Sequence, residues 1–493
     1  MSPVAPLEPW QSAWPALPPL LMLLAGLWGM RGALRPNAKL VGVLTLAVVV
    51  RAVILPLERH EFDGHEAEYL DLFLGVRGLS QGGTMLYPAM QWLCRGLGVV
   101  FAPHAGMLLA FSLSMGLVSI AALYGLVHRA LGERAALGAA IALALWGNHA
   151  FWSVSAYNVI LPHAMATLAL WALAVGASGE RGYAAGLVAG GAAALAVATR
   201  VESALVAPVG LLLLLALWRP GAWRTLPGLA LGAGFGALCA HYVLYSGQTP
   251  GEEQRALAFS LNRGLLVYFA PFDHPVMLGL AGLGLVWGLW GAPRLFGPLF
   301  VLVVGTHLAS ASFDDYGFRH LLNAEAGLAA MTGALLSRRW GAIPYGLVLL
   351  GLGLHTRDVA QRFYATEDDF AATVQSFPPL SWEEVRACTL VCEDSRVVPE
   401  EQQRSHFNLL DPAEAEAMRA ETGCIYWLYG VQDYRWSSRA VRDRALRLER
   451  LYDMQVRGVV QDSGRGYVAL VLEPLQPGKL SEPMSVQPQS WRQ

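Results

Sequence analysis

Long apolar runs separated by short polar connections make up most of the chain from Trp14 to His355. The runs are about 16–24 residues long, close to the ~20 residues with which a helix crosses the hydrocarbon core of a bilayer. This pattern predicts a mainly α, polytopic membrane helix bundle of about 12 spans. The predicted spans are 14–30, 40–57, 104–127, 135–152, 158–176, 184–200, 203–218, 225–246, 276–291, 296–312, 320–336 and 341–355.

The composition agrees with a membrane protein. Of the 493 residues, 55% are hydrophobic and 15% are charged, and the mean hydropathy is +0.41. Soluble domains have a lower apolar fraction and about 25% charged residues. The net charge of −2 gives no indication of a nucleic-acid partner. The first residues, "MSPVAPLEPW", lack the positively charged region of a signal peptide, so we expect the first span to be retained.

Alternate connections between the spans differ in charge, which predicts their sides of the membrane. The short connections "RGALRPNAK", "HRALGER", "ERGY", "RPGAWR", "APRL" and "SRRW" hold eleven Lys or Arg residues against two acids, Glu133 and Glu180. The positive-inside rule places this set in the cytoplasm. The other connections, both termini and the first long loop, 58–103, are therefore expected outside. Within that loop, "MLYPAMQWLCRGLGVVF" is predicted to lie at the outer interface rather than to cross.

One stretch of the outer loop, "RHEFDGHEAEY" at 59–69, concentrates histidines and acids. His60 and His65 are five residues apart, about 140° round a helix, which argues against an HExxH zinc site. A looser metal site that uses His65 stays open. Asp63 and Glu66 have the spacing of a helix-capping box. Asp63, Glu66 and Tyr69 also share a helix face at the membrane boundary, where a carboxylate could take a proton from an acceptor hydroxyl.

The same stretch resembles a known family. In the GT-C superfamily of membrane glycosyltransferases, particularly the branch of protein mannosyltransferases and aminoarabinose transferases, the first outer loop reads Asp-Glu-Ala-x-Tyr. A helix similar to Pro-Pro-Leu-Tyr-Tyr-Trp follows it. The matching positions here are His65, Glu66, Ala67, Glu68 and Tyr69, with Pro88 and Trp92 in the second helix.

This resemblance covers 14–355 in layout and implies a transmembrane glycosyltransferase-like domain with a polyprenyl-phosphate sugar donor. His65 stands where the family has its catalytic Asp, so the nearest substitute, Asp63, is the first candidate for the base. Glu66, which matches the family's Glu, is the second candidate. His65 and Tyr69 would orient these groups.

Further charged residues lie at the predicted outer ends of spans. "ATRVESAL" places Arg200 and Glu202 at a tight turn, either as a mutual ion pair or with Arg200 holding a lipid phosphate. Arg319, next to His320, is the preferred contact for the donor phosphate, because a guanidinium suits phosphate and the family has a basic residue near this span. Its alternative role is an interface anchor. Arg263 is a weaker candidate in the loop 247–275.

After His355 the apolar runs shorten and charged residues become frequent. "ACTLVCED", "CIYWLYGV", "MQVRGVV" and "GYVALVLEP" predict strands, the last two as a hairpin, and two helices are predicted between them. We therefore expect a small extracytoplasmic α/β domain over 356–478 and a disordered tail over 479–493. Cys424 is expected to pair with either Cys388 or Cys392.

These features predict an inverting glycosyltransferase at the outer, periplasmic face of the bacterial inner membrane. It would transfer a hexosyl or pentosyl group from a polyprenyl phosphate to a glycan, lipid or protein acceptor, with membrane lipids around it. No cofactor is assigned, and a divalent metal stays open. The alternative is a transporter or flippase of a lipid-linked or small substrate, which would need charges or broken helices near the bilayer midplane. A scaffold for an assembly machine is the third reading.

Overall fold

The computed structural model describes most of the predicted spans and four strands. The described residues are 17–33, 37–54, 105–155, 159–245, 275–311, 321–336, 346, 349–351, 353–354, 389–392, 425–431, 452–462 and 465–474. The chain divides into two units, Met1–Arg362 and Phe363–Gln493. The outer loop 58–103, residues 247–274 of the loop 247–275, and the tail 479–493 lie outside the described residues.

The first unit is a bundle of α-helices. Two short 3₁₀ helices, Val201–Leu205 and Ala222–Thr225, join helices within it. The α-helices are α1 (Leu17–Gly29), α2 (Ala38–Ile54), α3 (Ala105–Leu131), α4 (Glu133–Ala144), α5 (Gly147–Trp152), α6 (Ile160–Ala177), α7 (Gly182–Thr199), α8 (Val206–Ala216), α9 (Leu226–Tyr245), α10 (Pro275–Gly291), α11 (Pro293–Ala311) and α12 (Leu322–Leu336).

These helices carry the apolar surface that a bilayer requires. By length and composition, Met107–Leu131, Ile160–Ala177 and Gly182–Thr199 could each cross a membrane, and four of the other described helices are apolar but shorter. Leu21, Trp28 and Trp290 are among the large apolar side chains exposed on the outside of the bundle. Each of the first eleven predicted spans contains a described helix, while the total of 12 spans stays a prediction.

The predicted span 135–152 contains two helices rather than one, because the helix is interrupted after Ala144. Helix α4 ends at Ala144, and α5 begins only at Gly147. Trp146 between them has extended backbone angles, φ −71° and ψ 116°, and its side chain is fully buried. Glycine is a poor helix former, so Gly147 favours an interruption at this point. After the interruption, residues of α5 contact the helices α2, α3 and α12.

Helices α7 and α9 pack closely because glycines face each other at their crossing. A Cβ atom added to Gly190 would lie 2.1 Å from the carbonyl oxygen of Gly228, and one added to Gly232 would lie 2.2 Å from the Cα of Gly190. Contacts this short leave no room for a side chain. The small-residue spacing in this part of the chain therefore serves close helix packing, as membrane helices commonly use it.

Gly232→Ala is expected to lower the free energy of unfolding by about 1–3 kcal/mol, because the added methyl group must force the two backbones apart. Gly234→Ala is the matched control on the same helix, since a Cβ there meets nothing within 4 Å. Unfolding of both variants in mixed micelles measures the difference. Equal stability of the two variants would contradict the close crossing.

Three of the connections predicted to face the cytoplasm meet at one end of the bundle. Nζ of Lys39 lies 3.1 Å from Oε2 of Glu133, and Nη2 of Arg129 lies 3.5 Å from Oε2 of Glu180. Arg181 donates from Nη1 to the carbonyl oxygen of Gly29 at 3.4 Å. Exposed ion pairs contribute little stability. These contacts instead show that the connections lie side by side at the same end of the bundle.

The second unit contains a four-stranded sheet in the order β1-β2-β4-β3. Strand β1 (Thr389–Cys392) pairs in parallel with β2 (Ile425–Val431), which pairs antiparallel with β4 (Arg465–Pro474). Strand β3 (Tyr452–Asp462) forms a hairpin with β4, with a bulge between Val456 and Gly458.

The strands and the hairpin lie in the segments predicted to form them. The predicted helices of this unit, together with Cys388 and Cys424, lie outside the described residues. The α/β domain as a whole and its disulfide therefore stay predictions.

Candidate functional site

Buried polar side chains of four helices and one turn meet inside the first unit. We call this cluster the polar hub and define it as Arg51, Ser119, Asn148, His149, Ser153 and Glu325. His163 borders it.

The polar hub and His163 lie at one depth in the bundle. Arg51, Ser119, His163 and Glu325 are eleven to fourteen residues from the basic ends of α2, α3, α6 and α12. At 1.5 Å per residue, that places them about 16–21 Å from those ends. Polar and charged side chains at such a depth are costly in a membrane and commonly functional.

Arg51 is the cation of the polar hub and is 1% exposed. Its Nη1 donates to the carbonyl oxygens of Ala47 and Ala144, both at 3.0 Å. Ala144 is the last residue of α4, and a helix leaves its last carbonyls without intrahelical partners. Arg51 therefore satisfies a carbonyl that the interruption of α4 exposes. Its Nη2 lies 2.7 Å from Nδ1 of His149 and 3.3 Å from Oγ of Ser153.

The partners of His149 determine its tautomer. An arginine side chain can only donate, so Nδ1 of His149 must accept from Arg51. The ring proton is then on Nε2, which lies 2.8 Å from Oγ of Ser119 and donates to it. The hydroxyl of Ser119 donates to the carbonyl oxygen of Gly116 at 2.7 Å, and that of Ser153 donates to the carbonyl oxygen of His149 at 2.6 Å. In this network His149 is a neutral, fully hydrogen-bonded residue.

His163 packs against the edge of the polar hub. Its ring makes a T-shaped contact with His149, with 5.2 Å between centroids and 67° between planes. Its polar neighbours are the backbone of Leu322 and the side chain of Asn323, both on α12. Within the described part of the chain, neither ring nitrogen of His163 makes a hydrogen bond of normal geometry.

Asn148 links the polar hub to a buried acid. Its Nδ2 donates in a short hydrogen bond to Oε1 of Glu325, which is 1% exposed. Its Oδ1 accepts from Nε1 of Trp152 at 2.9 Å. Two consecutive residues of α5, Asn148 and His149, thus bind side chains of opposite charge on two different helices, Glu325 on α12 and Arg51 on α2.

Arg200 lies in the same unit at the turn that follows α7. It is 8% exposed, and its backbone N–H donates to the carbonyl oxygen of Ala196 at 2.8 Å. The 3₁₀ helix Val201–Leu205 follows at once. The predicted tight turn is confirmed, whereas the side chain of Glu202 is not among those described, so the roles of both residues stay open.

Comparison with known proteins identifies the fold. Residues 87–245 match the family model of dolichyl-phosphate-mannose-protein mannosyltransferase. The crystal structure of ArnT from Cupriavidus metallidurans in the apo state superposes with a TM-score of 0.54 at 14% identity, covering 87% of this chain and 97% of that one. The chain has the GT-C fold. The resemblance to the GT-C superfamily is thereby confirmed for the fold, the motif at 59–69 stays a prediction, and the protein is membrane-embedded.

Two further solved structures are similar to the chain. ArnT from Cupriavidus metallidurans bound to undecaprenyl phosphate has a TM-score of 0.51 at 14% identity, covering 87% of this chain and 97% of that one. The oligosaccharyltransferase AglB from Archaeoglobus fulgidus, in complex with an inhibitory peptide and a dolichol phosphate, has a TM-score of 0.49 at 12% identity, covering 86% and 74%. No curated protein matches the chain in sequence.

Most of the predicted site stays a prediction, because it falls on residues that are not described. These residues are Asp63, His65, Glu66, Tyr69, Arg263, Arg319 and His320. The described residues likewise contain no group of three or more His, Cys, Asp or Glu side chains that could hold a metal, so a metal requirement stays open.

Sequence reasoning did not predict the polar hub. Glu325 was counted within the apolar span 320–336, although an acid inside a predicted span is itself a signal of function. Arg51 is likewise a charged residue inside a predicted span, 40–57. His149 is a satisfied buried residue, as its hydrogen bonds show.

Proposed function

We propose that this GT-C protein transfers a sugar from a polyprenyl-phosphate donor to an acceptor at the outer face of the bacterial inner membrane, with both termini outside. The observation that carries the proposal is the match of residues 87–245 to the mannosyltransferase family model. The matched segment begins just after the acidic motif at 59–69. ArnT, which shares the fold, has been solved bound to undecaprenyl phosphate, and this supports a lipid-linked donor.

The reaction assigns distinct tasks to the predicted residues. The bond between the sugar's anomeric carbon and the phosphate oxygen breaks, and the lipid phosphate leaves with the electron pair. The acceptor oxygen forms the new bond from the opposite face, which inverts the configuration. Its proton passes to Asp63, or to Glu66, as general base. Arg319, with Arg200 second, stabilises the negative charge on the leaving phosphate.

The remaining candidates have supporting tasks in this proposal. His65 and Tyr69 orient the base, while His320 and Arg263 contact the donor near its phosphate. Glu202 holds Arg200. The acceptor is a glycan, a lipid or a protein, and a hexosyl or a pentosyl group is transferred.

A transporter or flippase is the second candidate function. The specific observations in its favour are the interrupted helix at Trp146 and the buried charges Arg51 and Glu325. Broken helices and buried charges of this kind bind substrates and ions in transporters.

Cleavage of the donor separates the two candidates. The purified full-length protein is incubated in detergent with a panel of polyprenyl phosphates that carry hexoses or pentoses, and mass spectrometry follows free polyprenyl phosphate. The proposal predicts that at least one donor is cleaved by native protein and not by heat-denatured protein. If folded, monodisperse protein leaves every donor intact, both without an acceptor and with a membrane extract as acceptor source, the transferase is wrong and the transporter is favoured.

A further inference from the structure

The two buried charges of the polar hub are held by neighbouring residues of one short helix. His149 accepts from Arg51 at 2.7 Å, and Asn148 donates to Glu325. Both charged side chains are 1% exposed. Removing charged side chains from water is costly unless their hydrogen bonds are satisfied, so burying Arg51 and Glu325 is a weak way to stabilise the fold. We therefore expect these two residues to have a role other than stability.

Each of the two charges lies close to the end of its helix. Arg51 is three residues before Ile54, the last residue of α2, and Glu325 is three residues after Leu322, the first residue of α12. Helix α5 thus holds the last turn of α2 through His149 and the first turn of α12 through Asn148. Because 148 and 149 are adjacent, a shift of one connection displaces the other.

These two helix ends lead into the segments that carry the proposed chemistry. The chain leaves α2 and reaches Asp63 nine residues after Ile54, and Arg319 precedes Leu322 by three residues. The proposed base and the proposed phosphate contact are therefore both a short stretch of chain away from the polar hub. A transferase needs these two groups at a fixed separation, because a displacement of about 1 Å can cost about 10²-fold in rate.

We propose that the polar hub positions the base and the phosphate contact relative to each other, with Asn148 and His149 as the positioning residues. This inference rests on the proposed glycosyltransferase function. Neither residue needs to touch the substrate. They act by holding α2 and α12. His149 holds α2 by accepting a hydrogen bond from Arg51, and Asn148 holds α12 by donating one to Glu325.

An exchange of the Asn148–Glu325 pair tests the inference. Asn148→Asp places two carboxylates at hydrogen-bond distance, where both cannot stay ionised at low cost. The double variant with Asn148→Asp and Glu325→Gln restores one donor and one carboxylate with their positions exchanged, and Trp152 can still donate to residue 148. We expect kcat to fall by about 10²-fold in the single variant and to return to within about threefold of wild type in the double variant.

The Michaelis constant separates positioning from a general loss of structure. Initial rates are measured against a polyprenyl-phosphate sugar that wild type cleaves, and are normalised to folded, monodisperse protein. The inference expects the KM for the donor to change by less than about threefold while kcat falls, because the contacts of the donor itself are intact. Thr332→Val, on α12, is the control. Thr332 is fully buried, and among the described residues its side chain bonds only to the carbonyl oxygen of Leu328 in its own helix, so its replacement should leave both constants unchanged.

A second pair of variants, at His149, tests the inference independently if the Asn148 variants do not fold. His149→Gln keeps one acceptor and one donor, whereas His149→Leu loses both, and only the leucine variant should lose kcat. Full activity of both His149→Leu and Asn148→Asp would overturn the inference. Failure of the double variant to recover, with Asn148→Asp inactive but folded, would overturn it as well. Failure of the proposed function looks different, because the wild-type protein then cleaves no donor at all.

Discussion

Asp63→Asn is expected to lower the rate of donor cleavage by about 10²–10⁴-fold, the usual contribution of a general base. The amide has nearly the shape of the carboxylate but cannot take the proton of the acceptor hydroxyl. The loss should appear in kcat, with little change in the affinity for the donor, because Asp63 is proposed to act on the acceptor. Initial rates of polyprenyl-phosphate release at saturating donor measure it.

Glu66→Gln and Glu68→Gln are the companion variants in the same motif. If Glu66→Gln rather than Asp63→Asn loses the activity, Glu66 is the base. Glu68→Gln should retain the wild-type rate, because Glu68 has no role in the proposed reaction. Wild-type rates in all three variants would mean that the acids cap a helix and carry no chemistry.

Arg319→Leu is expected to lower kcat/KM by about 10²–10³-fold, comparable to the loss of one group that stabilises charge in a transition state. Negative charge develops on the phosphate oxygen as the bond to the sugar breaks, and the guanidinium can bind two oxygens at once. Arg319→Lys keeps the charge without the forked donors, so only part of the activity should return. Steady-state rates over a range of donor concentrations measure both variants.

Arg219→Leu is the matched control for this second prediction. Arg219 is an exposed arginine in a connection at the opposite, basic end of the bundle. Its loss should leave kcat/KM within about twofold of wild type. An Arg319→Leu variant as active as the Arg219→Leu variant would show that Arg319 is only an interface anchor, and Arg200 would become the first candidate for the phosphate contact.

The helices were predictable because each is a long apolar run, a property that is local in sequence. The interruption between Ala144 and Gly147 was not, because it involves two residues, Leu145 and Trp146, that are themselves apolar. A hydropathy pattern cannot distinguish such a break from a continuous helix. The break becomes favourable only in three dimensions, where Arg51 can bind the carbonyl of Ala144.

The polar hub escaped prediction for the same reason. Arg51 and Ala144 are 93 residues apart in the chain, and Asn148 and Glu325 are 177 residues apart. Neither pairing follows from spacing within one element. The sheet of the second unit was predictable in part. The pattern of apolar residues predicted its strands and hairpin, whereas the parallel pairing of β1 with β2 depends on a contact between distant segments.

The most direct test of the central claim uses the full-length protein in liposomes with a polyprenyl phosphate whose sugar is isotopically labelled. A membrane extract supplies the acceptor, and mass spectrometry follows both the lipid and the label. The proposed function predicts free polyprenyl phosphate and an equal amount of label on a new product, with both lost in Asp63→Asn or Glu66→Gln. Recovery of the donor intact, whether left in place or moved across the bilayer by folded protein, would contradict it.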